Sequence, residues 1–166
     1  MTQWAYLKGQ FVPLAEAKVS ILTNSFQYGV SCFEGIRGNW NEEEQQIYLF
    51  RAKEHYERMH ANCRVLMTEI PPVDDLCAIT RELIRRCEYK EDVYIRPLAY
   101  KSSEMIGTRL HDLESDFCAV IFPYGRHLPS EKCRAGVSSW RRLTDNCGVP
   151  AGKISGQYVN GAYAKP

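Results

Sequence analysis

The sequence has almost no net charge. Its 21 lysines and arginines face 20 aspartates and glutamates, a formal balance of +1. That removes the electrostatic case for nucleic acid or an anionic membrane as a partner. No apolar run is long enough to span a bilayer, and the N-terminus lacks the apolar stretch of a signal peptide. The default location is therefore cytoplasmic. There is no Cys-x-x-Cys pair, and the seven cysteines are scattered and odd in number. Neither a disulfide framework nor a zinc site is indicated, and most of the cysteines read as small buried apolar residues. Internal repeats, low-complexity tracts and interdomain linkers are also missing. What remains is 45% apolar and 25% charged residues over 166 positions. This is the make-up of a globular domain large enough for a real core.

Along the chain, strand patterns come first. Residues 4–12 alternate around Lys8-Gly9 and read as a hairpin. Residues 17–22 read as a further strand or extended entry, and 25–30 as one helical turn capped by Ser25. Residues 32–40 read as one strand with Phe33, Gly35 and Arg37 on one face. Its glycines suggest close approach by a ligand or another backbone. Residues 46–50 return as its partner strand. Two helices follow. Ala52, Tyr56, Met59, Cys63 and Leu66 recur at helical steps over 51–67. Pro71-Pro72 then breaks the chain before a second helix capped by Asp74. Residues 92–100, 117–122 and 135–140 read as strands, with Pro97 arguing for an edge or a bulge. The loop over 102–116 is long enough to be functional. Strands, two helices and strands again predict an α+β domain: a largely antiparallel sheet with two main helices packed on it.

Three positions invite chemistry. Lys153 stands between small residues, with Tyr158 after it. Burial disfavours the charged form of a lysine, and a neutral amine is a nucleophile able to form a Schiff base with an aldehyde cofactor. The plain alternative is a solvated lysine at a helix start. Tyr94 and Arg96 share one strand face and suit a carboxylate, the arginine offering its fork. A salt bridge on an open sheet face would explain them equally. Arg51 sits at a helix N-terminus, the wrong end for a cation unless an anion lies between. An exposed arginine is the simpler reading there.

Four stretches, in order, resemble one family. Tyr28-Gly29-Val30-Ser31-Cys32-Phe33-Glu34-Gly35-Ile36-Arg37 resembles the Tyr-Gly-x-x-x-Phe-Glu-Gly-Ile-Arg segment of branched-chain amino acid aminotransferases. Phe50-Arg51, with Glu54-His55 and Glu57-Arg58, resembles its phosphate-contacting helix start. Tyr94-Ile95-Arg96-Pro97 resembles its substrate-binding strand. Ser139-Trp140-Arg141-Arg142, then Lys153-Ile154-Ser155-Gly156-Gln157-Tyr158-Val159-Asn160, resembles its cofactor-lysine segment. Each motif alone is weak, but accidental matches do not keep order and spacing together.

The resemblance covers essentially the whole chain and implies fold-type IV, class IV chemistry with pyridoxal 5'-phosphate. Lys153 matches the Schiff-base lysine, which also serves as the base that moves the substrate proton. Arg51 matches the phosphate-binding residue, and Tyr158 the tyrosine bonded to the cofactor ring oxygen. Tyr28, Phe33, Arg37, Tyr94, Arg96 and Tyr124 match positions around the substrate pocket. The implied reaction moves the amino group of branched-chain L-amino acids to 2-oxoglutarate, releasing 2-oxo acids. A homodimer or higher homo-oligomer is implied, with the pocket completed across the interface and the loop around Gly107 at that contact. Tyr124 and His127 stand where many bacterial members carry Trp and Tyr, which leaves the choice among leucine, isoleucine and valine open. Gly161 replaces a common serine.

Family members continue past Pro166 into a second domain that holds the cofactor ring nitrogen. Residues 1–140 are therefore expected to be the N-terminal α+β domain. Residues 141–166 would be the interdomain segment and lysine-bearing start of the second, and the chain alone is expected to be inactive. The rivals are a D-amino acid aminotransferase or aminodeoxychorismate lyase of the same fold, or an interaction domain that merely retains it. The Tyr-Ile-Arg-Pro and Ser-Trp-Arg-Arg segments favour the branched-chain group.

Overall fold

Lys8 and Gly9 both have positive φ, 51° and 77°. A two-residue hairpin turn takes that geometry because it matches the twist of its strands. It joins β1 (Trp4–Leu7) to β2 (Gln10–Pro13). In the computed structural model, which describes residues 3–125, 132 and 134–165, these strands begin a seven-stranded sheet. The others are β3 (Ser31–Phe33), β4 (Ile36–Asn41), β5 (Gln46–Leu49), β6 (Val93–Lys101) and β7 (Ser115–Pro123). The order is β2-β1-β7-β6-β4-β5, with β3 also on β6, and every pairing is antiparallel. The α+β architecture is the one expected. Among the described residues no helix is long and apolar enough to cross a membrane.

Helix α1 (Asn24–Tyr28) is a single short turn. The main helices are α2 (Ala52–Val65) and α3 (Val73–Cys87). Tyr56, Met59 and Cys63 of α2 are buried, as are Leu76, Leu83 and Cys87 of α3. Steps of three and four place each set on one stripe. The stripes pack on Val93, Ile95 and Ala99 of β6 and Phe117, Ala119 and Ile121 of β7. Because side chains alternate across a strand, Tyr94 and Arg96 project from the opposite face. The helices cover one face and leave the other for the site.

Several details differ from the expectations. Pro97 is neither at an edge nor in a bulge. It pairs opposite Ala119 of β7, in a strand with neighbours on both sides. On its other side lies the gap between β3 and β4, where its carbonyl accepts the Glu34 N–H at 3.1 Å. The missing N–H of a proline thus falls where no ladder bond is called for. For the same reason residues 32–40 form two strands, broken at Glu34-Gly35. Residues 17–22 form no strand and leave Val19, Ile21 and Leu22 exposed. Nor do residues 135–140, where Val137 is fully exposed. Pro72, not Asp74, caps α3, and Asp74 and Asp75 occupy its first turn, where the helix dipole favours acids. Lys101 is buried, its ammonium donating to the carbonyl of Met67 just past α2. That position suits a cation, although burial lowers its pKa.

Candidate active site

The segment carrying Lys153 is fastened to β3 at successive points. Phe33 N–H donates to the Lys153 carbonyl at 3.0 Å, and Cys32 bridges Ile154. Ser31 Oγ donates to Ser155 Oγ at 2.8 Å, and Gly156 N–H donates to the Gly29 carbonyl at 3.1 Å. Ile154 is buried in the core, so extended backbone turns its neighbour Lys153 the other way. Lys153 is half-buried, and its amine makes an exposed hydrogen bond rather than standing in a crowded pocket. The amine donates to Tyr158 Oη at 3.2 Å and lies 5.0 Å from the centre of the Phe33 ring. Tyr158 ends a 3₁₀ turn (Ser155–Tyr158) that runs into α4 (Val159–Tyr163), and its ring centre is 4.8 Å from that of Phe33.

The fastening depends on Gly29. Its φ is 67°, and an added Cβ would stand 2.9 Å from the Gly156 Cα. Gly29→Ala combines a left-handed backbone with a backbone clash. It should cost about 2–3 kcal/mol, read as a lower urea midpoint. Proteolysis should begin in residues 150–158 before the sheet.

Phe33 links Lys153 to the expected substrate residues. The Arg96 guanidinium carbon sits 4.4 Å from the Phe33 ring centre, and its Nη2 donates to Tyr94 Oη at 3.0 Å. Arg96 Nε is buried and has no hydrogen-bond partner among the described residues. Tyr94 stacks obliquely on Tyr124, with centres 5.2 Å apart, and Arg37 lies 5.7 Å from the centre of Tyr124. Arg37 is held by Asp92 at 3.2 Å and the Gly125 carbonyl at 3.0 Å. Lys153, Tyr158, Phe33, Arg96, Tyr94 and Tyr124 therefore form one continuous line, with Arg37 at its far end. Tyr28 closes α1, one residue before the Gly29–Gly156 contact. His127 lies outside the described residues. Gly161 is in α4, and Gly107 O accepts from Asn24 Nδ2 at 2.8 Å.

Arg51 stands apart from that line. It occupies the cap of α2 with φ 52°, and its guanidinium pairs with Glu54 at 2.8 Å in an exposed bridge. Arg58 lies further along the same helix. Its Nε and Nη2 reach the two oxygens of Glu34 at 2.6 and 2.7 Å, and its charge interacts with Tyr158. His55 Nδ1 lies 2.8 Å from the same carboxylate, which is fully buried. In the sequence these three residues lie within motifs but carry no role of their own. The available signal was an acid between Phe33 and Gly35 in an otherwise apolar stretch.

Burial alone pushes the Glu34 carboxyl up, but the hydrogen bonds and charges of Arg58 and His55 outweigh it and leave its pKa below the usual value. A depressed folded value means stability that is fully present above the unfolded pKa, about 4.3. It is lost as pH falls through the folded value. The urea midpoint should drop on acidification below about pH 4.3, and Glu34→Gln should show a smaller drop over the same window.

The family model for amino-transferase class IV matches residues 31–165. A probable branched-chain-amino-acid aminotransferase of Aquifex aeolicus (strain VF5) is 47% identical over 164 residues, 98% of this chain and 53% of its own length. The branched-chain-amino-acid aminotransferase of Escherichia coli (strain K12) is 29% identical over 163 residues, 95% of this chain and 52% of its own. Among solved structures, the branched-chain aminotransferase of the thermophilic archaeon Thermoproteus uzoniensis with norvaline has a TM-score of 0.93 and 34% identity, covering 99% of this chain and 55% of that one. The branched-chain amino acid aminotransferase from Thermobaculum terrenum, in its PLP-bound holo-form, has a TM-score of 0.86 and 28% identity, covering 96% of this chain and 52% of that one. The chain thus spans about half the length of the relatives it matches. With the family match running from β3 through the lysine segment and into α4, the chain belongs to the class IV amino-transferases.

Proposed function

We propose that this chain carries the lysine-bearing half of a pyridoxal-phosphate-dependent aminotransferase. Its reaction would move the amino group of branched-chain L-amino acids to 2-oxoglutarate. The observation that carries the reading is the Lys153–Tyr158 pair, docked on β3 and joined through Phe33 to the Arg96–Tyr94 pair. An amine beside a phenol fits an aldehyde with a neighbouring ring hydroxyl. The Arg96 Nε, which has no hydrogen-bond partner among the described residues, fits an anionic group brought by a ligand.

When bound, pyridoxal phosphate supplies the electron sink that stabilises negative charge at the substrate α-carbon. Everything else falls to side chains. Lys153 Nζ would hold the cofactor, and as a free amine it is the base that moves the α-proton. Tyr158 Oη orients that amine. Arg96 and Tyr94 bind the substrate carboxylate through charge-assisted bonds. Phe33, Tyr28 and Tyr124 offer apolar surface to a branched side chain, and Arg37 is placed for the second carboxylate of the oxo acid. The resemblance assigns the phosphate to Arg51. We give Arg58 the stronger claim, because the buried Glu34 holds its fork in one orientation, while Arg51 makes an exposed pair with Glu54. The division at 140/141, a homodimer closing the pocket near Gly107, and a cytoplasmic role in branched-chain amino acid biosynthesis belong to the same proposal.

The test compares 2-oxo acid release from L-leucine and D-alanine by the full-length protein, with 2-oxoglutarate as acceptor. Leucine as the preferred donor is expected. Preference for D-alanine would move the chain to another branch of the class.

A further inference from the structure

We propose that Glu34 is a positioning residue for the phosphate end of the cofactor site, acting through Arg58. This rests on the aminotransferase reading above. Glu34 stands in the gap between β3 and β4, its N–H fixed to the Pro97 carbonyl at 3.1 Å. The residue before it, Phe33, is tied by its N–H to Lys153. The residue after it, Gly35, leaves room for Tyr94 Oη. Backbone on either side is therefore anchored to the lysine segment and to the substrate strand. The side chain then reaches the helix layer, where α2 presents His55 and Arg58.

The hydrogen bonding shows what the carboxylate does. Oε1 accepts from Arg58 Nε at 2.6 Å, and Oε2 accepts from Arg58 Nη2 at 2.7 Å with His55 Nδ1 at 2.8 Å. The fork engages one edge of the guanidinium and leaves Nη1 outside it. The Arg58 side chain is 52% exposed while Glu34 is 0% exposed. A rigid buried base thus holds a cation whose outer edge remains open. Tethering α2 to the sheet does not by itself call for this, since apolar pairs of similar volume do it as well or better than buried ions. An unheld arginine retains its rotamer freedom and loses it on meeting an anion; the fork removes that loss in advance. The Glu34 charge opposes an anion at Arg58, and the gain from orientation outweighs this repulsion.

The readout is discrimination between pyridoxal 5'-phosphate and pyridoxal, which lacks the phosphate. Full-length apoprotein is titrated with each, and the fraction fixed to Lys153 is measured by borohydride reduction and peptide mass mapping. Glu34→Gln should lower the ratio of the two affinities about tenfold, the effect of losing a charged fork. A purely structural role would lower melting temperature and weaken both compounds together, leaving the ratio intact. If Glu34→Gln does not fold, Glu34→Asp carries the test, keeping the charge with a shorter reach; its ratio should fall at least about threefold. An unchanged or higher ratio in the folded variant overturns the proposal. A wild-type protein that fixes neither compound at Lys153 overturns the aminotransferase reading itself, and this proposal with it.

Discussion

Lys153→Ala in the full-length protein is expected to lower the rate of amino transfer by at least ~10³-fold, the range seen when an essential acid–base group is removed. The fold should hardly notice. The residue is half-buried and its amine makes an exposed hydrogen bond to Tyr158 Oη at 3.2 Å, so stability should change by no more than about 0.5 kcal/mol. The segment is fastened by its backbone and by Ile154 and Ser155, none of which the substitution touches. A coupled assay of 2-oxo acid release and a thermal melt separate the two effects. A large fall in melting temperature would assign the lysine to structure.

Gly35→Ala should produce the second large effect, and a different one. A Cβ at this position would overlap Tyr94 Oη and stand 2.7 Å from its Cζ. Tyr94 has little room to yield, because its ring packs on Phe122 and Tyr124 with centres 5.4 and 5.2 Å away. Moving the ring pulls the phenol from Arg96 Nη2. Overpacking costs about 1–3 kcal/mol. The functional loss should appear chiefly as a rise in KM for both the amino acid and the oxo acid, about tenfold or more for the loss of one charge-assisted contact. A fall in kcat with unchanged KM would place Tyr94 outside substrate binding.

Much of the fold was legible because the signals were periodic. The β1–β2 hairpin and helices α2 and α3 follow from alternation or helical steps, and β7 from its apolar run, although only Phe117, Ala119 and Ile121 of that run are buried. Reading failed where a tertiary neighbour decides the outcome. Pro97 looked like an edge residue because a proline cannot donate to a ladder, but the gap at Glu34-Gly35 on the neighbouring strands makes that donor unnecessary. Lys101 gave no sign of burial, since only the fold brings the Met67 carbonyl to it.

At the site, Lys153, Tyr158, Phe33, Arg96 and Tyr94 lie together. Arg51 does not join them. Arg51 at the start of α2 makes an exposed pair with Glu54, and the helix dipole cannot say which arginine of that helix a buried acid will hold. That choice is made by Glu34, whose burial cannot be read from the strand pattern once the strand breaks at that residue.

The central claim is that Lys153 holds the cofactor. It is tested most directly by reducing the full-length protein with borohydride in the presence of pyridoxal 5'-phosphate and locating the added mass by peptide mapping. A phosphopyridoxyl group on the peptide containing Lys153, absent in Lys153→Ala, is the predicted result. Label on other lysines with Lys153 unmodified would contradict it.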